Sequence, residues 1–161
     1  MKVVDFLSPE AVIPALAGAT KGEVLAEMSA FLAEQYNSHL PQGSHEIQSD
    51  ALLRLLEERE LLASTAIGDG IAIHHGKLAS VDHLVGALGR SPAGLPFDSF
   101  DGQPTHLVFM LVAPADAAGL HLKALARLSR LFREVDFRRK LLSAPDRATM
   151  YQVIADEDAR S

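Results

Sequence analysis

Residues 64–77 read STAIGDGIAIHHGK, and no other stretch of the chain carries as many structural signals. Small residues and two glycines come first, which is typical of a tight loop. Residues 71–73 form a short run that favours a β-strand. Two histidines and a glycine follow at once. The stretch therefore predicts a loop, a short strand and two histidines presented where that strand ends.

Two helices are predicted on the N-terminal side of this stretch. Thr20 and Glu23 have the spacing of a capping box, and apolar residues continue at helical spacing to about Asn37. A polar segment then predicts a loop, and Ser49 opens a second helix. We expect the charged run at residues 57–60 to end that helix.

Strands and helices also follow the stretch. The predicted strands are Val81–Leu88, closed by turn-forming residues at 89–92, and the nearly all-apolar Thr105–Ala113. The predicted helices cover 120–132, 136–142 and a last segment that starts at 145–146. This order predicts an α/β fold, in which a mixed sheet is flanked by helices on both sides, as a single domain over residues 1–161.

Composition excludes several classes of protein. There is no cysteine among the 161 residues, so disulfides, thiolate metal sites and a cysteine nucleophile are excluded. A net charge of −6 argues against nucleic-acid binding, and the basic cluster at 133–140 is interpreted as cations at a helix end. The chain has no run of about 18 apolar residues, so no membrane-spanning helix is predicted. Asp5 comes too early for a secretory signal, so we expect an unprocessed cytoplasmic protein.

His74 and His75 are the best candidates for chemistry among the seven histidines. A neutral imidazole nitrogen is a nucleophile, and glycine-rich backbone can turn N–H groups toward an anion such as phosphate. On residue chemistry alone, a simple tight turn is the favoured interpretation of Gly68 and Gly70. Arg59 is a candidate phosphate-binding cation, but a solvated charge in the run 57–60 fits the same spacing.

The run from residue 58 to residue 77 resembles the signature of the type-2 IIA domain of the sugar phosphotransferase system. That family, the fructose/mannitol and nitrogen-regulatory class, shows Arg-Glu and then Ser-Thr-x-Ile-Gly-x-Gly-Ile-Ala-Ile-Pro-His-Gly. The segments 97–104 and 121–128 resemble the family's middle segment and its later helix. The resemblance covers nearly the whole chain.

The resemblance implies roles that the residues alone do not. The histidine before the glycine accepts phosphate in this family, so His75 is the expected phosphoryl acceptor. His121 corresponds to the family's second active-site histidine, and Arg59 is expected to pair with the phosphate. Ser64 and Thr65 are expected to be auxiliary hydroxyl donors.

His74 stands where the family usually has proline. It offers a second nucleophile and is included as an auxiliary site residue, but side chains of neighbouring strand residues point to opposite faces, which favours His75 as acceptor. The substitution leaves open an alternative, in which the site is degenerate and the protein binds partners without being phosphorylated. A metal site is not expected, because two adjacent histidines are poorly spaced for chelation and no carboxylate cluster completes the set.

The implied activity is that of a phosphotransferase-system IIA component working through a phosphohistidine intermediate, with no cofactor. The implied donor is HPr or its nitrogen-branch counterpart, and the implied recipients are a IIB component or regulatory target proteins. We favour the nitrogen-regulatory branch over sugar uptake. We further expect a backbone carbonyl to hold the proton of His75 and low pH to slow acceptance. Leu95, Phe97 and Phe100 are expected to lie in the core rather than to form an exposed docking patch.

Overall fold

The structure is a computed structural model, and it describes residues 1–62 and 66–161. A short 3-10 helix covers Val3–Asp5. The strands are β1 (Val12–Ile13), β2 (Ala66–Gly68), β3 (Ile71–Leu78), β4 (Val85–Leu95) and β5 (Thr105–Pro114). The helices are α1 (Lys21–Ser38), α2 (Ser49–Leu62), α3 (Ala118–Arg133), α4 (Val135–Ser143) and α5 (Arg147–Arg160).

The strands form one mixed sheet in the order β1-β4-β5-β3-β2. The central pair β3 and β5 is parallel, whereas β4 is antiparallel to β5 and β2 is antiparallel to β3. Helices cover both faces. Even-numbered residues of β3 and β5, such as Ala72 and Val108, pack with α1 and α2, while odd-numbered ones, such as Ile73 and Phe109, pack with α3, α4 and α5. The predicted α/β fold is confirmed.

Local signals account for the helix ends. The Thr20 hydroxyl accepts a hydrogen bond from the Glu23 amide at 3.2 Å, and the Asp146 carboxylate caps α5 in the same way through Thr149. At the C-terminal end of α3, the Arg138 guanidinium donates to the carbonyls of Phe132 and Arg133. This confirms the interpretation of Arg138 as a cation at a helix end. In the part of the chain described, no helix is both long and apolar enough to cross a membrane.

Three predicted elements had wrong boundaries. β3 continues to Leu78, so both histidines lie inside the strand rather than beyond it. β4 starts at Val85 rather than residue 81, and it passes through the predicted stop at 89–92, because β5 supplies ladder partners there and the register shifts only after Arg90. α2 continues past the charged run to Leu62, since glutamate and arginine are good helix formers. Strands β1 and β2 were not predicted.

The apolar residues before β5 divide between core and surface. Leu95 and Phe97 are buried as expected, but Phe100 is 85% exposed. Its ring lies over Gly68, where a Cβ atom would come within 3.0 Å of it. Phe100 therefore covers the β2–β3 turn from outside, and its prediction as a core residue was wrong.

Candidate functional site

His75 and His121 meet at the carboxyl end of the central parallel strand pair. His75 lies in the second half of β3, opposite Leu111 of β5. Because β5 runs parallel to β3 and leads directly into α3, the first turn of α3 emerges beside that half of β3. His121 is the fourth residue of α3, and its ring centroid lies 5.1 Å from that of His75. The two candidates are thus brought together.

The His75 ring is kept neutral at neutral pH. Burial lowers its pKa to about 4, and the neighbouring His121 and the positive charge of Arg59 act in the same direction. Burial and the charge of Lys77 also lower the pKa of His121. His75 is only half-buried, so it combines an unprotonated ring with access from solvent. Such a ring is a competent nucleophile.

The predicted carbonyl partner of His75 is not seen. No hydrogen bond joins either ring nitrogen to a residue in the described part of the chain. The Nε2 atom of the buried His121 likewise has no hydrogen-bond partner among the described residues. The geometry around both rings is therefore set by packing and by nearby charge.

His74 faces the opposite side of the sheet. Its side chain is 1% exposed, with Nδ1 3.5 Å from the Glu60 Oε1 atom and the ring centroid 5.2 Å from that of Phe97. Burial lowers its pKa to about 4, although the Glu60 carboxylate opposes this shift. A side chain so enclosed cannot reach an incoming donor, and this position argues against direct contact between His74 and a phosphoryl group.

The end of α2 brings Arg59 to the site. Gly76 allows the close approach, since a Cβ atom there would lie 2.9 Å from the Leu55 side chain of α2. Arg59 lies in the last turn of α2, and its charge lowers the pKa of both His74 and His75. The charge of Arg59 therefore reaches both rings, as its expected role as a phosphate-binding cation requires.

The glycine-rich segment is a hairpin turn and does not border His75. Asp69 and Gly70 both have positive φ, as a two-residue hairpin turn between β2 and β3 requires. The Asp69 amide donates to the Asp101 carboxylate at 3.0 Å. His75 lies five residues further along β3, which is roughly 16 Å for an extended strand. The turn interpretation of the glycines is thus the better one, and the anion-cradle interpretation was wrong.

Four other residues were either predicted for the site or found beside it, and they differ in how far the sequence and the structure describe them. Ser64 and Thr65 are outside the described residues. Lys77 acts on His121 and lies two residues after His75, so strand periodicity alone could have placed it on the same face. Glu60 is buried against His74, but nothing in the run 57–60 distinguishes it from a solvated glutamate.

Comparisons with known proteins point to one family. The family model "Phosphoenolpyruvate-dependent sugar phosphotransferase system, EIIA 2" matches residues 5–157. The nitrogen regulatory protein of Bradyrhizobium diazoefficiens is 41% identical over 155 residues, which are 96% of this chain and 95% of that protein. The fructose-specific EIIABC component of Bacillus subtilis is 37% identical over 158 residues, 98% of this chain but only 24% of that longer protein.

The fold has a close counterpart among solved structures. The crystal structure of the nitrogen regulatory protein IIA-Ntr from Neisseria meningitidis superposes with a TM-score of 0.83 at 26% identity, covering 94% of this chain and 98% of that one. Together, the family match over residues 5–157 and this likeness identify the chain. It belongs to the EIIA 2 family of the phosphoenolpyruvate-dependent sugar phosphotransferase system.

Proposed function

We propose that this protein is a phosphocarrier in which His75 accepts a phosphoryl group from a phosphohistidine of HPr or of its nitrogen-branch counterpart. The observation that carries the proposal is the surroundings of His75. Its half-buried ring has a pKa lowered to about 4, lies 5.1 Å from the His121 ring, and is within the electrostatic influence of Arg59.

The transfer exchanges one phosphorus–nitrogen bond for another. The lone pair on the unprotonated nitrogen of His75 forms the new bond to phosphorus. The bond to the donor histidine breaks, and its electron pair stays on the donor nitrogen. The proton on the second nitrogen of His75 remains there during the step, so no oxidant, reductant or cofactor is needed.

Positive charge is provided where the phosphoryl oxygens arrive. Phosphoryl transfer depends mainly on positioning and on stabilising this negative charge. Arg59 matches phosphate oxygens bidentately, and Lys77 adds a second cation next to His121. His121 donates to a phosphoryl oxygen from a ring N–H. In this arrangement, Ser64 and Thr65 remain auxiliary candidates.

The nitrogen-regulatory branch is the favoured setting. The relative that matches this chain at 41% identity over nearly its full length is a nitrogen regulatory protein, whereas the fructose-specific relative is a much longer EIIABC chain. In this setting, the phosphorylation state of His75 alters the surface shown to cytoplasmic target proteins. In a sugar-uptake setting, the phosphoryl group passes to a IIB component instead.

A phosphorylation assay tests the acceptor. The protein is incubated with phosphoenolpyruvate, enzyme I and either HPr or its nitrogen-branch counterpart, and intact mass is read before and after mild acid. We expect an acid-labile gain of one phosphoryl group in the wild type and none in His75→Ala. His121→Ala should gain it more slowly. His45→Ala, which alters an exposed histidine in the α1–α2 loop, is the matched control and should behave as the wild type.

The outcome separates the two candidate functions. A gain retained in His75→Ala would exclude His75 as the acceptor. No gain in the wild type with either donor would refute the phosphocarrier function and favour the alternative, in which a degenerate site binds partners without phosphorylation.

A further inference from the structure

His74 belongs to a closed ring of side chains behind the phosphoryl site. The Glu60 carboxylate uses one oxygen to contact His74 Nδ1 at 3.5 Å and the other to accept from Lys21 Nζ at 3.1 Å. Lys21 Nζ lies 5.9 Å from the Phe97 ring centroid, and that ring packs against His74. These four residues, the back ring, join β3, the end of α2, the start of α1 and the segment before β5.

Glu60 is placed where a carboxylate is costly. Its side chain is 6% exposed, and it lies in the last turn of α2, where the helix dipole disfavours negative charge. Apolar residues of similar size often replace buried ion pairs without loss of stability. Stability alone therefore gives little reason for the Lys21–Glu60 pair with its histidine contact, whereas a need for fixed geometry gives a good one.

The geometry that Glu60 fixes is that of its neighbour in sequence. Arg59 shares the last turn of α2 with Glu60, and its charge acts on both His74 and His75. Glu60 contacts His74 of β3 and forms an ion pair with Lys21 of α1. These two contacts limit how far the last turn of α2 can move relative to His75.

We propose that His74 and Glu60 are a positioning pair, which holds the last turn of α2 so that the Arg59 guanidinium stays beside His75. This inference rests on the proposed phosphocarrier function. His74 is a positioning residue rather than a second acceptor, and it acts through Arg59 from the far side of the sheet.

The test measures phosphoryl acceptance in single-turnover experiments with the phosphorylated donor that labels the wild type. His74→Leu keeps an apolar side chain in the core but removes the contact to Glu60. It should lower the rate at saturating donor roughly 10- to 100-fold, since a displacement of about 1 Å can cost about a hundredfold. The donor concentration for half-maximal rate should not change, because His74 is remote from any docked donor. His74→Asn, which puts a donor near the position of Nδ1, should restore most of the rate.

A second substitution separates positioning from general damage. In an Arg59→Ala background, His74→Leu should have no further effect on the rate, because the group through which it acts is gone. Glu60→Gln should lower the rate roughly tenfold, and the exposed Glu58→Gln, on the other side of Arg59, is the matched control and should not. Glu60→Gln also keeps the test decisive should His74→Leu fail to fold.

Two results would overturn the inference. One is wild-type acceptance by both His74→Leu and Glu60→Gln. The other is a loss in His74→Leu that is just as large when Arg59 is absent. Either result leaves the proposed function standing, since the wild type is still phosphorylated, whereas a wild type that accepts no phosphoryl group refutes that function itself.

Discussion

Replacing His74 should change how the stability of this protein depends on pH. The ring is 1% exposed, and burial lowers its pKa from 6.5 to about 4 in the folded protein. Above pH 6.5 the ring is neutral in both the folded and the unfolded chain. Between pH 6.5 and about 4 the unfolded chain binds a proton that the folded protein does not, so the free energy of unfolding falls as the pH is lowered.

The size of the effect follows from these two pKa values. Each pH unit inside that interval corresponds to about 1.4 kcal/mol, so the loss attributable to His74 is about 2 kcal/mol at pH 5. It levels off at about 3 kcal/mol below pH 4. This is a large fraction of the total stability of an ordinary domain, which is about 5–15 kcal/mol.

Urea unfolding at pH 8 and pH 5 measures the effect. The wild type should lose about 2 kcal/mol more than His74→Leu between these two pH values. His75 and His121 are present in both proteins, so their contributions largely cancel in this difference. His74→Asn also lacks a titrating group and should match His74→Leu. Equal pH dependence in the wild type and both variants would show that His74 is not buried in its neutral form, and the argument for its enclosure would fail.

Two further predictions follow from the same structure. In an NMR titration, the ring resonances of His75 should shift with a midpoint near pH 4; a midpoint at the ordinary value of 6.5 would contradict the effect of burial and of the neighbouring positive charge. Asp158→Ala should lower the free energy of unfolding by about 3–5 kcal/mol, because it leaves the buried Arg127 guanidinium without its carboxylate. The exposed Asp156→Ala should change it by less than about 0.5 kcal/mol, and an equal effect of the two substitutions in denaturant unfolding would refute the burial argument.

The sequence was sufficient to predict the type of an element where one pattern dominated a long segment. The continuous apolar run of β5 and the leucine stripe of α3 are long enough to predict the element type. Thr20 and Asp146 mark helix starts because a short polar side chain can satisfy an amide that the helix leaves open. The cation at residue 138 was also correctly interpreted, since its preference for helix C-terminal carbonyls is local.

Strand boundaries could not be predicted, because they depend on partners far away in the chain. Residues 89–92 look like a turn, yet β5 supplies ladder partners to Gly89 and Arg90. The Arg90 guanidinium also donates in the interior to the carbonyl of Leu141, in the last turn of α4, and to that of Ala144, directly after α4. A strand as short as β1 has no periodicity to detect, and it exists only because β4 offers it an edge.

The sequence predicted only some of the site residues, because the surroundings of the others depend on tertiary packing. Motif resemblance selected His75, His121 and Arg59. The structure places the two rings 5.1 Å apart, and the charge of Arg59 acts on His75. Their roles remain a prediction. Glu60 could not be selected, because its burial arises from the way α2 packs on β3. An anion site at the glycines was one of two interpretations left open, because they are close to His75 in sequence, but an extended strand separates them from it.

The adjacent His74 and His75 belong to the two opposite faces of β3. Alternation of side chains places His74 and Gly76 on the face that packs against α2, where one contacts Glu60 and the other makes room for the helix. The same alternation places His75 and Lys77 on the face that meets His121. A pair divided in this way cannot chelate one metal ion, and only one member can meet an incoming phosphoryl donor. The residue at 74 can therefore differ from the usual proline without adding a second acceptor.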